Sequence, residues 1–470
     1  MAVVDIHCHN FNADDVPIRG FVRHVALHDL PFTDDLGRFV DLVVQGAAIG
    51  FEAENAKLDT LLTRGLSPQA AVEAVPPGPA LTLDDEADLL LARLDTLDPG
   101  LVRRVGTLAA TGAAPSPAAA QPEGLVDWYR AAHRLARWAA LFAKDRLDIT
   151  VALVANFGGD IDLFTPLMVD LDPGLGDVAP TSLRQQVVLQ EKISRLSMLG
   201  LLPGPHQTHV HPFVGFDPRR ELAARRAGHI ETPLDLLDTA VTRYGVIGVK
   251  IYPPMGFRAM GNAGKVADGA AIDGILRDLY RWCEAEAVPI TAHTNPSNYA
   301  HEDFKDFASP TYWAGALKEF PGLRVDLGHF GGAHEKPITT SGWPWKAARL
   351  MDTYPNVYAD VGNHKIYDAK VRATYLGLLE SIFAKHPAVV DKVMFGSDWY
   401  MLAAMPEADR FLATYRKAYQ QAFGAAKTRR FLGANALRFL GFDDAQNPNN
   451  QRVRARYERH APANLPAWLA

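Results

Sequence analysis

The chain has 470 residues, of which 48% are hydrophobic and 22% charged, and its formal net charge is -6 at pH 7. This composition is typical of a globular protein, and the length allows one large barrel with insertions or two domains. The acidic balance argues against a general nucleic-acid-binding protein. Two cysteines are too few for a disulfide framework, and no apolar run is long enough to cross a membrane. With no secretory signal ahead of the first strand, we expect a cytoplasmic protein that acts on a small molecule, without nucleic-acid or membrane partners.

The first apolar run, Val3–His9, predicts a β-strand. Successive side chains of a strand point to opposite faces, so His7 and His9 share one face and Cys8 points away from them. We expect Cys8 to pack in the core, as free cysteine usually does. Two imidazoles on one face could bind a single metal ion, but this pair alone is weak evidence.

A long segment, residues 12–162, separates the first predicted strand from the next. Helical patterns cover Lys57–Val75, Leu83–Leu97 and Leu125–Arg146. The Ala/Pro/Gly-rich stretch Thr111–Gly124 predicts a mobile linker between them.

The second half of the chain alternates short β-rich runs with helical stretches. The predicted strands end at Phe216, Tyr252, His293, His329, Gly362 and Asp398. Together with Val3–His9 and Leu163–Leu171 they make eight strands, although Asp148–Phe157 is an alternative for the second strand. Eight such units predict an α/β fold, a (β/α)8 TIM barrel with a long helical insertion after the first strand, rather than an open doubly wound sheet.

This organisation gives three expected regions. Residues 1–11 and 163–442 form the barrel, 12–162 an insertion, and 443–470 a C-terminal tail. Because the insertion follows the first strand, it leaves the barrel at the face where active sites of such barrels lie. We therefore expect a helical cap over the site, with a scaffold that packs beside the barrel as the alternative.

Five side chains suited to metal binding or proton transfer fall at predicted strand ends: His7, His9, His293, His329 and Asp398. In a parallel barrel these ends converge on one mouth. Imidazole nitrogen and carboxylate oxygen suit zinc, and also manganese or iron. Three or four such ligands with a position left for water describe a catalytic metal site.

The pattern resembles the amidohydrolase superfamily, in its amidohydrolase-related (amidohydrolase 2) branch, and is similar to the aminocarboxymuconate-semialdehyde decarboxylase group. The matching motifs are HCH at His7–His9, TAH at His293, GH at His329 and FGSD at Asp398, followed by FLGANALRFLGF at Phe431–Phe442. The resemblance covers the first strand and roughly Leu163–Phe442, and the insertion lies outside it.

The resemblance implies a set of site residues. His7, His9, His293 and Asp398 would hold one divalent metal ion, in the first place Zn²⁺, with Mn²⁺ or Fe²⁺ as alternatives. His329 would be a catalytic imidazole beside it, and Asp398 would serve as both ligand and catalytic proton acceptor.

Lys250, in GVKIYPP, bears on the number of metal ions. Some members of the superfamily carbamylate a lysine on the fourth strand so that it bridges two metals, whereas the decarboxylase-like branch uses one. Because the other motifs match that branch, we expect one metal and an unmodified Lys250 that meets a substrate carboxylate or Asp398.

Further polar residues are expected to contact the substrate: Lys250, His211, Asn295, His364 and Trp399. Three of them follow strands, where loops build specificity. His209 and His211 form a second pair of alternating histidines, to which the resemblance assigns no ligand role.

A zinc-like ion would lower the pKa of its bound water from about 15.7 to about 7. Asp398 would then move a proton from water to the leaving group, and His329 would polarise the attacked carbonyl. This predicts hydrolysis of an amide, ester, lactone or activated carbon–carbon bond. The alternative is decarboxylation of an unsaturated or aromatic acid, and a silent barrel with a structural metal ranks third. Barrel enzymes of this kind often form dimers, so a homodimer is a further expectation.

Overall fold

The computed structural model describes residues 2–26, 34–44, 50–65, 67, 82–111, 125–332, 339–364, 366–399, 401–405 and 408–469. Across these residues, every pairing between strands is parallel. The strands are β1 (Val4–Cys8), β2 (Leu163–Pro166), β3 (His209–Val210), β4 (Phe213–Phe216), β5 (Gly248–Ile251), β6 (Ile290–His293), β7 (Val325–Gly328), β8 (Val357–Asp360) and β9 (Val393–Met394). The protein is thus an α/β structure with parallel sheets.

The strands form two sheets in chain order, β1-β2-β3 and β4 through β9. Residues just beyond the strand ends connect the two sheets. Leu167 forms a parallel bridge with Phe213, and Cys8 forms one with Trp399. On the second side, the amide of Ile6 also donates to the carbonyl of Phe395 over 3.2 Å. Strand β1 therefore has backbone partners on both of its edges.

The predicted strand that ends at Phe216 is divided in two. Pro212 has no amide hydrogen to give to a neighbouring strand, so it cannot continue the ladder. Val210 pairs with Phe164 on one side of the break, and Phe213 pairs with Gly248 on the other. The prediction of one continuous strand here is wrong.

Among the described residues, α-helices follow most of the strands and also occur along the segment after β1. They are Ile18–Phe21, Asp34–Val44, Phe51–Arg64, Leu83–Leu97, Leu101–Thr111, Leu125–Phe142, Arg146–Asn156, Asp172–Leu175, Leu183–Met198, Pro218–Ala227, Pro233–Arg243, Gly269–Ala285, Trp313–Glu319, Trp343–Thr353, Ala369–Lys385, Phe411–Phe423, Ala425–Arg429, Asn435–Leu440 and Pro448–His460. The main hydrophobic core contains residues from both strands and helices, and Cys8 is fully buried in it.

A helix is present at each of the three helical predictions in the long segment, two of them with changed boundaries. The first helix covers Phe51–Arg64 and ends at Gly65, whose left-handed backbone caps it, so it stops short of the predicted end at Val75. The helix Leu83–Leu97 has the predicted bounds, because the Thr82 side chain caps its first turn together with Asp85. The pattern from Leu125 gives a helix that ends at Phe142. The alternative second strand at Asp148–Phe157 is wrong, since this stretch lies almost wholly in the helix Arg146–Asn156. The expected linker at 112–124 and the predicted helical residues 66 and 68–75 lie outside the described residues.

A buried network of ion pairs and hydrogen bonds is centred on Arg146, in the long segment after β1. Arg146 is fully buried and donates to the carboxylates of Asp15 and Glu54 and, over 3.0 Å, to the hydroxyl of Thr181. Three separate parts of the chain therefore meet at one guanidinium.

The stretch after residue 442 contains a well-packed helix, Pro448–His460. Tyr457 is buried, and its hydroxyl lies 2.6 Å from His209 Nδ1 and 3.1 Å from His211 Nε2. Within the described residues, the longest and most apolar helices still fall short of what a membrane span requires.

Candidate metal centre

Three of the four predicted metal ligands meet at the carboxyl ends of the strands. His7 and His9 lie on and just after β1, and Asp398 follows β9. The Asp398 Oδ1 atom is 3.7 Å from His7 Nε2 and 3.2 Å from His9 Nε2. The three possible ligand atoms all lie within 4.8 Å of one another, and all three residues are buried. The alternation along β1 thus places both imidazoles beside the carboxylate, as the sequence predicts.

The hydrogen bonds of His9 show why a cation fits between these groups. His9 Nδ1 lies 2.8 Å from the carbonyl oxygen of Leu167. A carbonyl only accepts, so Nδ1 carries a proton and Nε2 is the ring atom that faces the Asp398 carboxylate. The contact between Nε2 and that carboxylate is satisfied either by a proton on Nε2 or by a metal ion bound to both atoms. Imidazole nitrogen and carboxylate oxygen suit a divalent ion.

His7 is held in the same state by Asp360, at the end of β8. His7 Nδ1 donates to Asp360 Oδ2 over 2.7 Å, which leaves Nε2 free to bind a metal. Burial lowers the pKa of His7 to about 4, although the Asp360 charge opposes the shift. The ring is therefore neutral near pH 7, as a metal ligand must be.

Asp360 accepts from three parts of the site. Besides His7, the amides of His329 and Gly362 donate to its Oδ1 over 3.1 and 2.8 Å. Burial alone would raise the pKa of Asp360, but the contact with His7 holds that pKa well below its usual range. The neighbouring Asp326 is affected in the opposite way, since burial and the Asp360 charge raise its pKa well above the usual range. Of the two carboxyl groups, Asp360 therefore has the lower pKa.

His293 and His329 stand next to this group. His329 Nδ1 donates to the carbonyl of Gly362 over 3.0 Å, so its Nε2 accepts from His293 Nδ1 over 3.1 Å. His293 Nε2 then carries a lone pair, and this buried atom has no hydrogen-bond partner among the described residues. His293 is not within the compact group of three, but its unsatisfied nitrogen fits a fourth ligand.

Lys250, on β5, also reaches the site. Its Nζ lies 3.4 Å from His7 Nε2 and donates to that lone pair. Burial lowers the pKa of Lys250, while the carboxylates of Asp360 and Asp398 oppose this shift.

The loop that carries Asp398 is built for close approach to β1. Asp5 accepts from both the amide and the hydroxyl of Ser397, over 2.9 and 2.6 Å. A Cβ atom on Gly396 would come within 2.8 Å of His7 Cβ, so only glycine fits there. Asp398 itself has a φ of 52°, in the left-handed region, and its amide donates to the carbonyl of His7 over 2.6 Å. Such backbone conformations are costly and concentrate at functional sites.

The pKa values of Asp5, on β1, and Asp398, on the loop, are shifted in opposite directions. Burial raises the pKa of Asp5 to about 7, against the hydrogen bonds from Ser397. It would also raise the pKa of Asp398, but the contact with His9 and the imidazoles of His329 and His7 lower that pKa to about 2. Asp398 is therefore ionised, which suits a metal ligand.

A small cavity of about 30 Å³ opens on the group. Its lining residues are His7, His9, Phe11, Phe21, Val25, Val169, Leu171, Lys250, Tyr252, His293, Asn298, His329, Asp398 and Met401. The polar groups come from strand ends, whereas Phe11, Phe21 and Val25 come from the segment after β1. The lining thus combines a few polar groups with apolar side chains, as ligand sites do.

Of the predicted substrate contacts, only Lys250 lines this cavity. His364 lies behind the site, where its Nε2 donates to the carbonyl of His329 over 2.9 Å. Trp399 is buried beside Cys8, and Asn295 lies against Gly332. His211 is fully buried between Ser194 and Tyr457.

Asp5, Asp326 and Asp360 were not predicted to belong to the site. Each is an acidic residue within an otherwise apolar strand. This pattern could have indicated a functional carboxylate, because an unpaired buried charge is costly. The cavity wall formed by Phe11 and Phe21 was not predicted either, and no sequence signal exists for it.

Comparison with known proteins gives one family match and several remote structural likenesses. No curated protein shows significant similarity to the chain. An uncharacterized TIM-barrel protein from Bordetella bronchiseptica is 16% identical, with a TM-score of 0.38 over 63% of this chain and 82% of that one. An amidohydrolase from Burkholderia multivorans with bound zinc is 13% identical, with a TM-score of 0.39 over 65% and 91%. Dihydroorotase from Saccharomyces cerevisiae, in complex with 5-fluoroorotic acid, is 12% identical, with a TM-score of 0.37 over 64% and 82%. Residues 216–442, just under half of the chain, match the family model Amidohydro_2, which is described as Amidohydrolase.

Proposed function

We propose that this protein is a metal-dependent hydrolase that uses one divalent ion to activate water. Zn²⁺ is the first candidate for this ion. The observation that carries the proposal is the buried group of possible ligand atoms from His7, His9 and Asp398, which all lie within 4.8 Å of one another. The ligands are His7, His9, His293 and Asp398. The family match over residues 216–442 supports the same chemistry.

When bound, the ion would lower the pKa of a coordinated water towards neutrality. The chain's own residues then handle the protons. The Asp398 carboxylate is ionised and can accept a proton from water and return it to the leaving group. His329 also lines the cavity, and its Nε2 atom, hydrogen-bonded to His293 Nδ1, is a second position that can carry a proton during the reaction. The buried surroundings strengthen both interactions.

The proposal includes a closed (β/α)8 barrel formed by residues 1–11 and 163–442. It is supported by the parallel bridges Cys8–Trp399 and Leu167–Phe213, which join the two sheets on both sides. The short strands β3 and β4 then count as one strand interrupted by Pro212, which gives eight. Residues 12–162 act as a helical cap, because Phe11, Phe21 and Val25 from its beginning and the preceding loop line the cavity.

One metal suffices in this scheme, and Lys250 stays an unmodified amine. Lys250 Nζ donates to His7 Nε2, the atom that would bind the metal, so in the metal-loaded protein this amine would be available to the substrate. An ammonium in the cavity would suit a carboxylate on the substrate. A mass increase of one carbamate on Lys250 would contradict this part of the proposal.

The proposal is tested by metal content and turnover of the purified protein. We expect about one equivalent of divalent metal by elemental analysis, and its loss in a His7→Ala/His9→Ala double variant. The matched control is His209→Ala, a buried histidine outside the site, which should keep the metal. Full occupancy in the double variant would overturn the site.

Turnover is measured on lactones, cyclic amides, aryl esters and aromatic carboxylic acids. Ring opening or acid release that depends on the metal would support the hydrolase. Release of carbon dioxide from an aromatic or unsaturated acid would instead support the decarboxylase alternative.

A further inference from the structure

Tyr252 and Asn298 form a hydrogen-bonded pair in the cavity wall. Asn298 Nδ2 donates to the Tyr252 hydroxyl over 3.1 Å. The Tyr252 ring stacks on the His293 imidazole, with centroids 4.4 Å apart and planes at 23°. Both residues line the cavity, so the pair lies beside a proposed metal ligand.

The oxygen atom of the Asn298 amide is in a different situation from its nitrogen atom. Its Oδ1 atom is buried and has no hydrogen-bond partner among the described residues. A buried acceptor without a donor costs free energy, and such groups in a native protein call for a ligand or another explanation. Here the acceptor belongs to a residue that lines the cavity.

The backbone holds this acceptor in place. Asn298 has a φ of 60°, in the left-handed region that asparagine tolerates better than most residues. Two residues later, the amide of Ala300 donates to the carbonyl of Pro254 over 3.0 Å. Pro254 follows β5 and Asn298 follows β6, so this bond ties together the two loops that carry the pair.

We infer that Asn298 is a specificity-determining residue, whose Oδ1 accepts a hydrogen bond from an N–H or O–H group of the substrate. The inference rests on the proposed hydrolase function, because it assumes that the polar end of the substrate sits at the metal beside His293. The role of Asn298 also predicts that the site discriminates between two kinds of substrate. The site prefers a ring that carries a donor next to its carbonyl over a ring of the same size without one, because the second ring leaves Oδ1 unpaired.

Two six-membered rings test the preference. In 2-piperidinone an N–H stands beside the carbonyl, and in δ-valerolactone an oxygen takes its place. Both are titrated into the metal-loaded full-length protein and followed by NMR, which reports binding and ring opening in the same spectra. We expect 2-piperidinone to bind about 10- to 100-fold more tightly than δ-valerolactone.

The variant Asn298→Gly removes the amide without straining the backbone, since glycine adopts a positive φ freely. We expect it to bring the two affinities within about 2-fold of each other by weakening 2-piperidinone. Asn363→Gly is the matched control, because Asn363 has a φ of 55° but does not line the cavity. It should keep the wild-type preference.

Equal affinities in the wild type, a preference for the lactone, no binding of either ring, or a preference kept by Asn298→Gly would each overturn the inference. The proposed function fails separately. If binding depends on Asn298 but no hydrolase substrate is turned over, the hydrolase function is contradicted and the role of Asn298 in binding a donor group still stands. If the ring is opened in a metal-dependent reaction without a preference for 2-piperidinone, the hydrolase function stands and the role of Asn298 is contradicted.

Discussion

His7 and Asp360 are 353 positions apart in the sequence, yet His7 Nδ1 donates to Asp360 Oδ2 over 2.7 Å in the buried centre of the protein. The bond fixes the tautomer of His7, so that Nε2 points its lone pair at the group formed with His9 and Asp398. Asp360 is therefore a positioning residue for the proposed metal site, although it does not reach the metal itself.

Replacing this carboxylate tests its role. We expect Asp360→Asn to weaken metal affinity about 10- to 100-fold, because the ligand loses a charged partner that orients its ring. Affinity is measured by competition with a chelator. The control is Asp352→Asn, whose carboxylate contacts His386 over 2.9 Å at the half-exposed surface. An unchanged affinity in Asp360→Asn would show that His7 is oriented by the strands alone.

His329 separates catalysis from metal binding. The proposed ligand set consists of four other groups, so His329→Asn should keep the metal and the folded state. Turnover on the best substrate should fall about 10²- to 10⁴-fold, the usual contribution of a positioned proton-transfer group. Elemental analysis and kinetics of the same preparation give both answers. Loss of the metal would make His329 a ligand, and full turnover would make it a bystander.

Asp398→Asn should impair both properties together. The substitution removes the ligand charge and the proton acceptor at once, so we expect lower metal affinity and lower turnover. A variant that keeps wild-type metal affinity would exclude Asp398 from the ligand set.

The buried network around Arg146 should matter for stability. Arg146→Ala leaves the carboxylates of Asp15 and Glu54 buried without a counter-charge, which we expect to cost about 3–5 kcal/mol. Arg19→Ala is the control, since its pair with Asp41 is exposed and should contribute about 1 kcal/mol or less. Urea unfolding measures both. Equal losses would contradict a special role for the buried network.

Acid should destabilise the protein partly through His209. Burial lowers the pKa of His209 to about 4, from 6.5 in an exposed histidine. The unfolded chain therefore takes up the proton first, and stability is lost as the pH falls from 6.5 towards 4. At pH 5 the loss from this one residue is about 2 kcal/mol. His209→Gln, which does not titrate, should show a correspondingly smaller loss between pH 7 and pH 5 in urea unfolding. The same loss in the variant would place the effect elsewhere.

Much of the site could be predicted because it depends on strand ends. Alternation along β1 puts His7 and His9 on one face, and parallel strands bring His293, His329 and Asp398 to the same end. These relations need only local patterns and one topology. The role of Asp360 could not be predicted in this way, since its stretch, VYADVG, looks like any strand end until His7 is placed beside it.

Contacts made by helices and loops were beyond the sequence patterns. His211 was expected near the substrate, but its ring contacts Tyr457, which belongs to a helix outside the repeated strand–helix units. Pro212 divides the strand next to it, so the alternation that served for β1 does not extend to this position. The apolar wall from Phe11 and Phe21 depends in the same way on how the long segment folds back, which periodicity does not show.

The two-sided pairing of β1 also governs when the site can exist during synthesis. One edge of β1 pairs with Leu163 and Phe164. The other edge pairs with residues from Phe395 to Trp399, which are synthesised nearly 400 residues later. Pairings this distant in the chain are slow to form and leave strand edges exposed in the meantime. A nascent chain that stops before Asp398 lacks one metal ligand and the neighbour that completes β1. The proposed metal centre would therefore be assembled only after most of the chain has left the ribosome.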